Sequence, residues 1–256
     1  LILTSDQALM CDPEYKSGIL YNSLEIVELL WKEFLSFYDK CSSLFTCAPL
    51  SPESPDAYFK MLLDTTDQDF FIGIQPEACL TPFIADSLLD DIFNHSLPHG
   101  DMICQSARKA FDNNRRKLRL KQFILYFTEE GVEHFARTGL LEEIPRVFYT
   151  PLTPPQRLQL LQNVLACCQN NSYRILKSPL SHLPSNLRLC IRNGQCYITF
   201  INNKIETILL QVQESSFFAT FQDYMENMET SCYYTEEESS AIIQRLIDRL
   251  HTGEWQ

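Results

Sequence analysis

Residues 122–139 read Gln122-Phe123-Ile124-Leu125-Tyr126-Phe127-Thr128-Glu129-Glu130-Gly131-Val132-Glu133-His134-Phe135-Ala136-Arg137-Thr138-Gly139, and this passage decides the fold class. Its first six residues form an apolar, aromatic-rich run that is too short for a helix of ordinary length and reads as a buried strand. Thr128 then supplies a capping oxygen, Glu129 and Glu130 sit where the helix dipole favours negative charge, and Gly139 ends the helix in the C-terminal glycine position. Upstream, Asp69 to Gln75 is a second apolar run with the same reading. A helix lined by Ile84, Leu88, Leu89, Ile92 and Phe93, with Thr81-Pro82 as its cap, and a basic helix ending near Leu118 lie between the two runs. Strand, helix and strand alternate, so helices pack on a sheet.

Downstream, Thr153-Pro154-Pro155 opens a helix with Leu158, Leu161, Val164 and Leu165 inward, and Tyr173 to Leu176 is a short strand. Leu187–Ile191, Asn193-Gly194 and Cys196–Ile201 form a hairpin, because Asn-Gly provides the positive backbone angles of a tight turn. Asn202-Asn203-Lys204 turns again into a strand over 205–212, which completes a meander. Two helices close the chain. Phe217, Phe218, Phe221, Tyr224, Met225 and Met228 line the first, as core or alternatively as a dimer surface or a greasy pocket. The second has a capping box at Thr235 and Glu238 and a stripe of Ile242, Ile243, Leu246, Ile247 and Leu250. Toward the N-terminus, a helix spans Ser23 to Tyr38 with a capping-box-like start at Asn22 and Glu25. The segment 48–55 is a proline-rich loop, and Ser54-Pro55 opens a short helix through Tyr58, Met61 and Leu62.

The expected architecture is mixed α/β (α+β), with helices on a central sheet and an antiparallel meander near the C-terminus. Residues 1–50 form an N-terminal helical segment, a linker or dimerisation helix. Residues 51–170 form an α/β core, and 171–256 add the meander and two helices to that core.

Composition excludes several classes. Thirty-three acidic residues against 21 basic ones give a net charge of -12 over 256 residues, which as a whole repels a phosphate backbone. No run of about 18 apolar residues offers a membrane span. None of the ten cysteines falls in a Cys-x-x-Cys pair, so they read as small apolar side chains of a reduced, cytoplasmic protein. Cys190 and Cys196 flank the hairpin and are placed to face each other across it. Leu1, rather than Met, starts the sequence, so an N-terminal extension is expected.

Residues arranged for chemistry are few. No phosphate-cradling glycine loop or Gly-x-Ser-x-Gly elbow is present. His95, His99 and Asp101 cluster across a Pro-Gly loop and are the weak candidates for a metal, though no metal or other cofactor is expected. The acidic pairs Asp90-Asp91, Glu129-Glu130 and Glu142-Glu143 do not by adjacency make an acid–base pair. Seven of the 21 basic residues fall between Arg108 and Lys121. A solvated face with internal ion pairs explains them, and an anionic ligand held by Arg115, Arg116, Arg119 and Lys121 is the functional alternative.

Residues 126–139, together with Glu143-Ile144-Pro145, Tyr149-Thr150-Pro151, Arg157 and Leu160-Leu161, carry a resemblance that extends to the capped helix at Thr235. Over roughly residues 120–250 the chain resembles the C-terminal region of XRE-like helix-turn-helix transcriptional regulators of gut Firmicutes. The resemblance implies an effector-sensing, dimerising domain of a bacterial regulator that does no catalysis. It would act as a homodimer, bind a small-molecule or peptide effector, and reach DNA only through an N-terminal head. The first 60 residues depart from that pattern: they carry nine acids against Lys16, Lys32, Lys40 and Lys60, and no compact basic helices. Two other classes stay open: an enzyme on an open α/β sheet with a site around His95, His99 and Asp101, and a protein-interaction module without a ligand.

Overall fold

The computed structural model describes residues 2–12, 16–40, 45–50, 70–184, 186–192, 195–202, 206–212 and 214–255. The chain divides into two units, Leu1–Ser43 and Leu44–Gln256. In the first, β1 (Ile2–Leu3), β2 (Ala8–Cys11) and β3 (Gly18–Tyr21) form an antiparallel sheet, and α1 spans Leu24–Tyr38. Trp31 ties the helix to the strands by donating its indole N–H to the Thr4 carbonyl at 2.8 Å. The expected helix is present, but Ser23 is its N-cap and makes no side-chain capping bond, so the Asn22–Glu25 box does not form. The three short strands were not foreseen, since runs of two to four residues carry almost no periodic signal.

The second unit is built on a seven-stranded mixed sheet among the described residues. Its strands are β4 (Phe45–Leu50), β5 (Phe71–Ile74), β6 (Phe123–Phe127), β7 (Tyr173–Ile175), β8 (Leu187–Arg192), β9 (Gln195–Asn202) and β10 (Glu206–Val212). The order is β4-β10-β9-β8-β5-β6-β7. β5, β6 and β7 run parallel, and the β8–β9–β10 meander joins them antiparallel through β8. Residues 48–50, expected in a loop, instead belong to β4, which pairs with β10 at the sheet edge. The Asn193-Gly194 turn, the residues 203–205 of the second turn and the short helix at 54–62 lie outside the described residues.

Helices cover both faces. α2 (Asp86–Ile92), α3 (Gly100–Arg119), α4 (Glu129–Thr138), α5 (Pro154–Gln169) and α7 (Glu236–His251) pack on one face; α6 (Ser215–Glu226) packs on the other. The strand alternation assigns the faces. Phe71, Phe123, Leu125, Phe127, Tyr173, Tyr197 and Leu209 join the larger core, whereas Ile72, Ile74, Tyr126 and Ile191 meet Met225 and Met228. Phe217 and Tyr224 of α6 are exposed, so the aromatic stripe is core only in part. The fold is the expected mixed α/β arrangement, with the antiparallel meander near the C-terminus.

Local signals explain most helix ends. Thr128 Oγ1 accepts the Gly131 N–H at 3.0 Å and Gly139 takes a left-handed conformation, φ 69°. Both capping boxes, at Thr153 and at Thr235, are present. The expected cap at Thr81-Pro82 is not a helix start: these residues form a single 3-10 turn, Thr81–Phe83, and α2 begins after Ala85. The hairpin register sets Cys190 opposite Tyr197 and Cys196 opposite Ile191, so the two cysteines do not face each other across the strands.

Candidate ligand cavity between the sheet and helix α3

A cavity of about 130 Å³ lies between the sheet and the inward side of α3. On the sheet side its wall is Phe71 of β5, Arg188 and Cys190 of β8, Tyr197 and Thr199 of β9, and Leu209 of β10. On the helix side it is Ile103, Ala107, Ala110, Phe111 and Asn114, with Leu89 and Ile92 of α2 beside them. Gln75, Cys79, Thr81, Glu143, Phe148 and Tyr149 close it from the connecting segments. Small residues at 107 and 110 make the space, because α3 presents methyl groups where the sheet opposite presents large side chains.

The polar part of the wall is organised around Arg188. Strand alternation points residues 188 and 190 to the same face, so burying the apolar strand also buries a guanidinium. Arg188 Nη2 donates to Glu77 Oε2 at 2.6 Å and to the Glu142 carbonyl at 2.8 Å. Its Nε and Nη1 are buried with no hydrogen-bond partner among the described residues. Asn114 shows the complementary deficit: Nδ2 donates to Thr81 Oγ1 at 3.1 Å, while Oδ1 is buried and unpartnered among the described residues. Unsatisfied groups of this kind are scarce in folded proteins and call for a partner the chain does not supply.

Burial also controls the ionisable groups around the cavity. Loss of solvent pushes the Glu77 carboxyl above its usual range, against the pull of Arg188. Glu143 accepts the Leu80 N–H at 2.8 Å and is likewise raised, chiefly by burial, against bonds from Cys79 and Leu80. Its side chain keeps some accessible surface while being densely surrounded by protein, as befits a group on the wall of an internal space. Burial raises the Cys79 thiol and the Tyr149 phenol far above their usual values. Tyr149 is anchored by donating to the Leu141 carbonyl at 3.0 Å and accepting the Leu141 N–H at 2.6 Å. At neutral pH the thiol and the phenol therefore carry their protons.

The residues singled out from the sequence are placed elsewhere. Arg115 holds the chain before α2, with Nε to the Pro82 carbonyl at 3.3 Å, Nη2 to the Ile84 carbonyl at 2.8 Å and Nη1 to Asp112 at 2.5 Å. Arg116 donates to Asn113 at 3.3 Å, whereas Arg119 and Lys121 are exposed near the end of α3. Arg108 bridges α3 to α2 through Asp90 at 2.6 Å and Asp86 at 3.4 Å. Among the described residues, the basic run does not converge on one point. His95 lies 3.2 Å from Asp101, and the ligand-type atoms of Asp90, His95 and Cys104 all fall within 4.8 Å of one another. His99 is not part of that group; it is the left-handed N-cap of α3, φ 57°. Arg108 already occupies Asp90 and burial raises the Cys104 thiol, so the group is poorly disposed toward a cation. No described helix is long and apolar enough to cross a membrane.

Sequence reasoning missed Arg188, and it weighed Glu143 only as half of an acidic pair. The available signal was the run Leu187-Arg188-Leu189-Cys190-Ile191, in which one charge sits at a strand position whose neighbours two residues on are apolar. No protein-family model matches the chain. No curated protein matches it. Among solved structures it is similar to TrmBL2, an archaeal chromatin protein described as showing a novel mode of DNA binding. The superposition covers 88% of this chain and 76% of the other at 10% identity and a TM-score of 0.33. At that TM-score the superposition does not establish a shared fold.

Proposed function

We propose that the 44–256 unit is an effector-binding regulatory module that does no bond-making itself. The cavity with its unpaired Arg188 and Asn114 groups carries this reading. The wall joins the meander, α3 and the 143–149 segment, so one occupant touches three otherwise separate pieces of the unit. An effector that favours one arrangement of those pieces shifts the population toward it, and an attached domain feels the shift. The protonated thiol and phenol on the wall favour binding over nucleophilic chemistry.

The likeness of residues 120–250 to bacterial helix-turn-helix regulators supports transcription as the controlled process, with DNA contacted by a separate head rather than by this acidic chain. Leu24, Ile26, Leu29 and Leu35 of α1 are exposed, and a second copy is the partner we assign to them. The free cysteines of the described residues fit a reducing cytoplasm.

The test is a thermal-shift screen of a broad metabolite library. An effector at a hundred times its Kd adds about 2.7 kcal/mol, which for a domain of this size is a rise of roughly 5–10 °C. No rise with any compound contradicts the reading.

A further inference from the structure

We propose that the occupant of the cavity is a neutral small molecule with a carboxamide or lactam head and an apolar body. This rests on the ligand-binding reading above and adds the chemical class. Size sets the first limit. A cavity of about 150 Å³ lined by apolar side chains admits benzene, so 130 Å³ suits a body of similar size, a single ring or a short branched chain. Phe71, Ile103, Phe111 and Phe148 supply the apolar wall for it.

The head group follows from what the wall lacks. Arg188 offers two donor nitrogens without an acceptor, and Asn114 offers a carbonyl oxygen without a donor. A hydrocarbon leaves both deficits in place. A group carrying C=O and N–H together satisfies both, and an amide is the simplest such group.

Charge decides against the ionic alternatives. Arg188 is already neutralised by Glu77 at 2.6 Å, and Glu143 lies on the same wall. A carboxylate ligand would add a further negative charge to a buried site whose single cation is taken, and such a charge is costly without its own partner. An ammonium ligand would meet the Arg188 guanidinium in the same small space. The neutral amide adds no net charge.

The experiment compares four probes that share one ring: benzamide, toluene, benzoate and benzylamine. Binding to the full chain is measured by isothermal titration at neutral pH. Benzamide is expected to bind about tenfold or more tightly than toluene, as one to two hydrogen bonds to buried groups allow, with benzoate and benzylamine weaker than benzamide. In Asn114→Leu the benzamide advantage is expected to shrink about tenfold while toluene affinity holds, which shows that the variant cavity is intact. Toluene binding as tightly as benzamide would overturn the amide assignment while leaving a ligand-binding cavity in place. Benzoate or benzylamine binding tightest would replace it with an acid or an amine class. Saturable binding of none of the four would overturn both the assignment and the cavity reading.

Discussion

Replacing Ala107 with leucine asks the cavity whether it is real. Ala107 is buried on the inward side of α3 and lines the space. Leucine there adds three carbons, each contributing about 0.8 kcal/mol when buried, or about 2.4 kcal/mol in all. Side-chain ordering takes back about 0.5–1 kcal/mol, so the expected net gain is about 1.5 kcal/mol. Were the interior at this point packed to ordinary density, the same substitution would instead cost about 1–3 kcal/mol through overpacking. The two outcomes differ in sign and lie about 2.5–4.5 kcal/mol apart, well beyond the error of a urea titration. Ala136 of α4 provides the contrast, being fully buried without lining the cavity. Ala136→Leu is expected to lose about 1–3 kcal/mol. A gain at 107 with a loss at 136 upholds the geometry, and the filled variant is expected to lose any ligand-induced rise in Tm. Destabilisation at both positions would refute it.

Further tests reach the polar wall and the backbone. Arg188→Met strips the buried Glu77 of its partner and is expected to cost about 3–5 kcal/mol by chemical denaturation, with Glu77→Gln in the same chain restoring more than half of that loss. Burial raises the Glu143 carboxyl, so the folded protein holds its proton more tightly than the unfolded one. Stability from this group is therefore full below the ordinary carboxylate range and falls as pH rises toward the raised value. Glu143→Gln removes that slope, and urea titrations from about pH 4 to about pH 8 are expected to show a flatter profile and a more stable variant at neutral pH. At Gly131, an alanine Cβ would stand 2.0 Å from the Pro76 carbonyl oxygen. Helix propensity alone would make Gly131→Ala about 1 kcal/mol stabilising, whereas the backbone clash is expected to make it destabilising by about 2 kcal/mol or more in the same titration.

What the sequence disclosed and what it hid divide along a physical line. Helix caps at Thr128, Thr153 and Thr235 and the stop at Gly139 are legible because donor and acceptor lie within four residues of each other. Strands β5, β6 and β8 to β10 are legible because burial on a sheet imposes a short apolar run. The cavity is not, since its wall is gathered from residues 71 to 209 and a void leaves no mark on any one segment. Adjacency in sequence says little about contact in space. Among the basic residues from 108 to 121, Arg108 and Arg115 are bound to nearby carboxylates and carbonyls of their own chain, the internal pairing expected of them. Glu142 and Glu143 are neighbours in sequence and, as expected, do not form one acidic pair: Glu142 pairs with Arg146 at 2.7 Å, while Glu143 turns to the Leu80 N–H. The isolated Arg188 attracted no notice because a single cation in a strand becomes meaningful only once the burial of its neighbours is known.

The ligand-binding cavity is tested most directly by methyl NMR of the full chain, with the isoleucine and leucine methyls assigned and benzamide titrated in. Saturable shifts confined to the cavity wall, with Ile92, Ile103 and Leu209 among the residues that move, are expected, while Ile243 and Leu246 of α7 stay in place. Shifts that spare those three residues, or that spread without saturation over exposed Leu24 and Leu29, would contradict it.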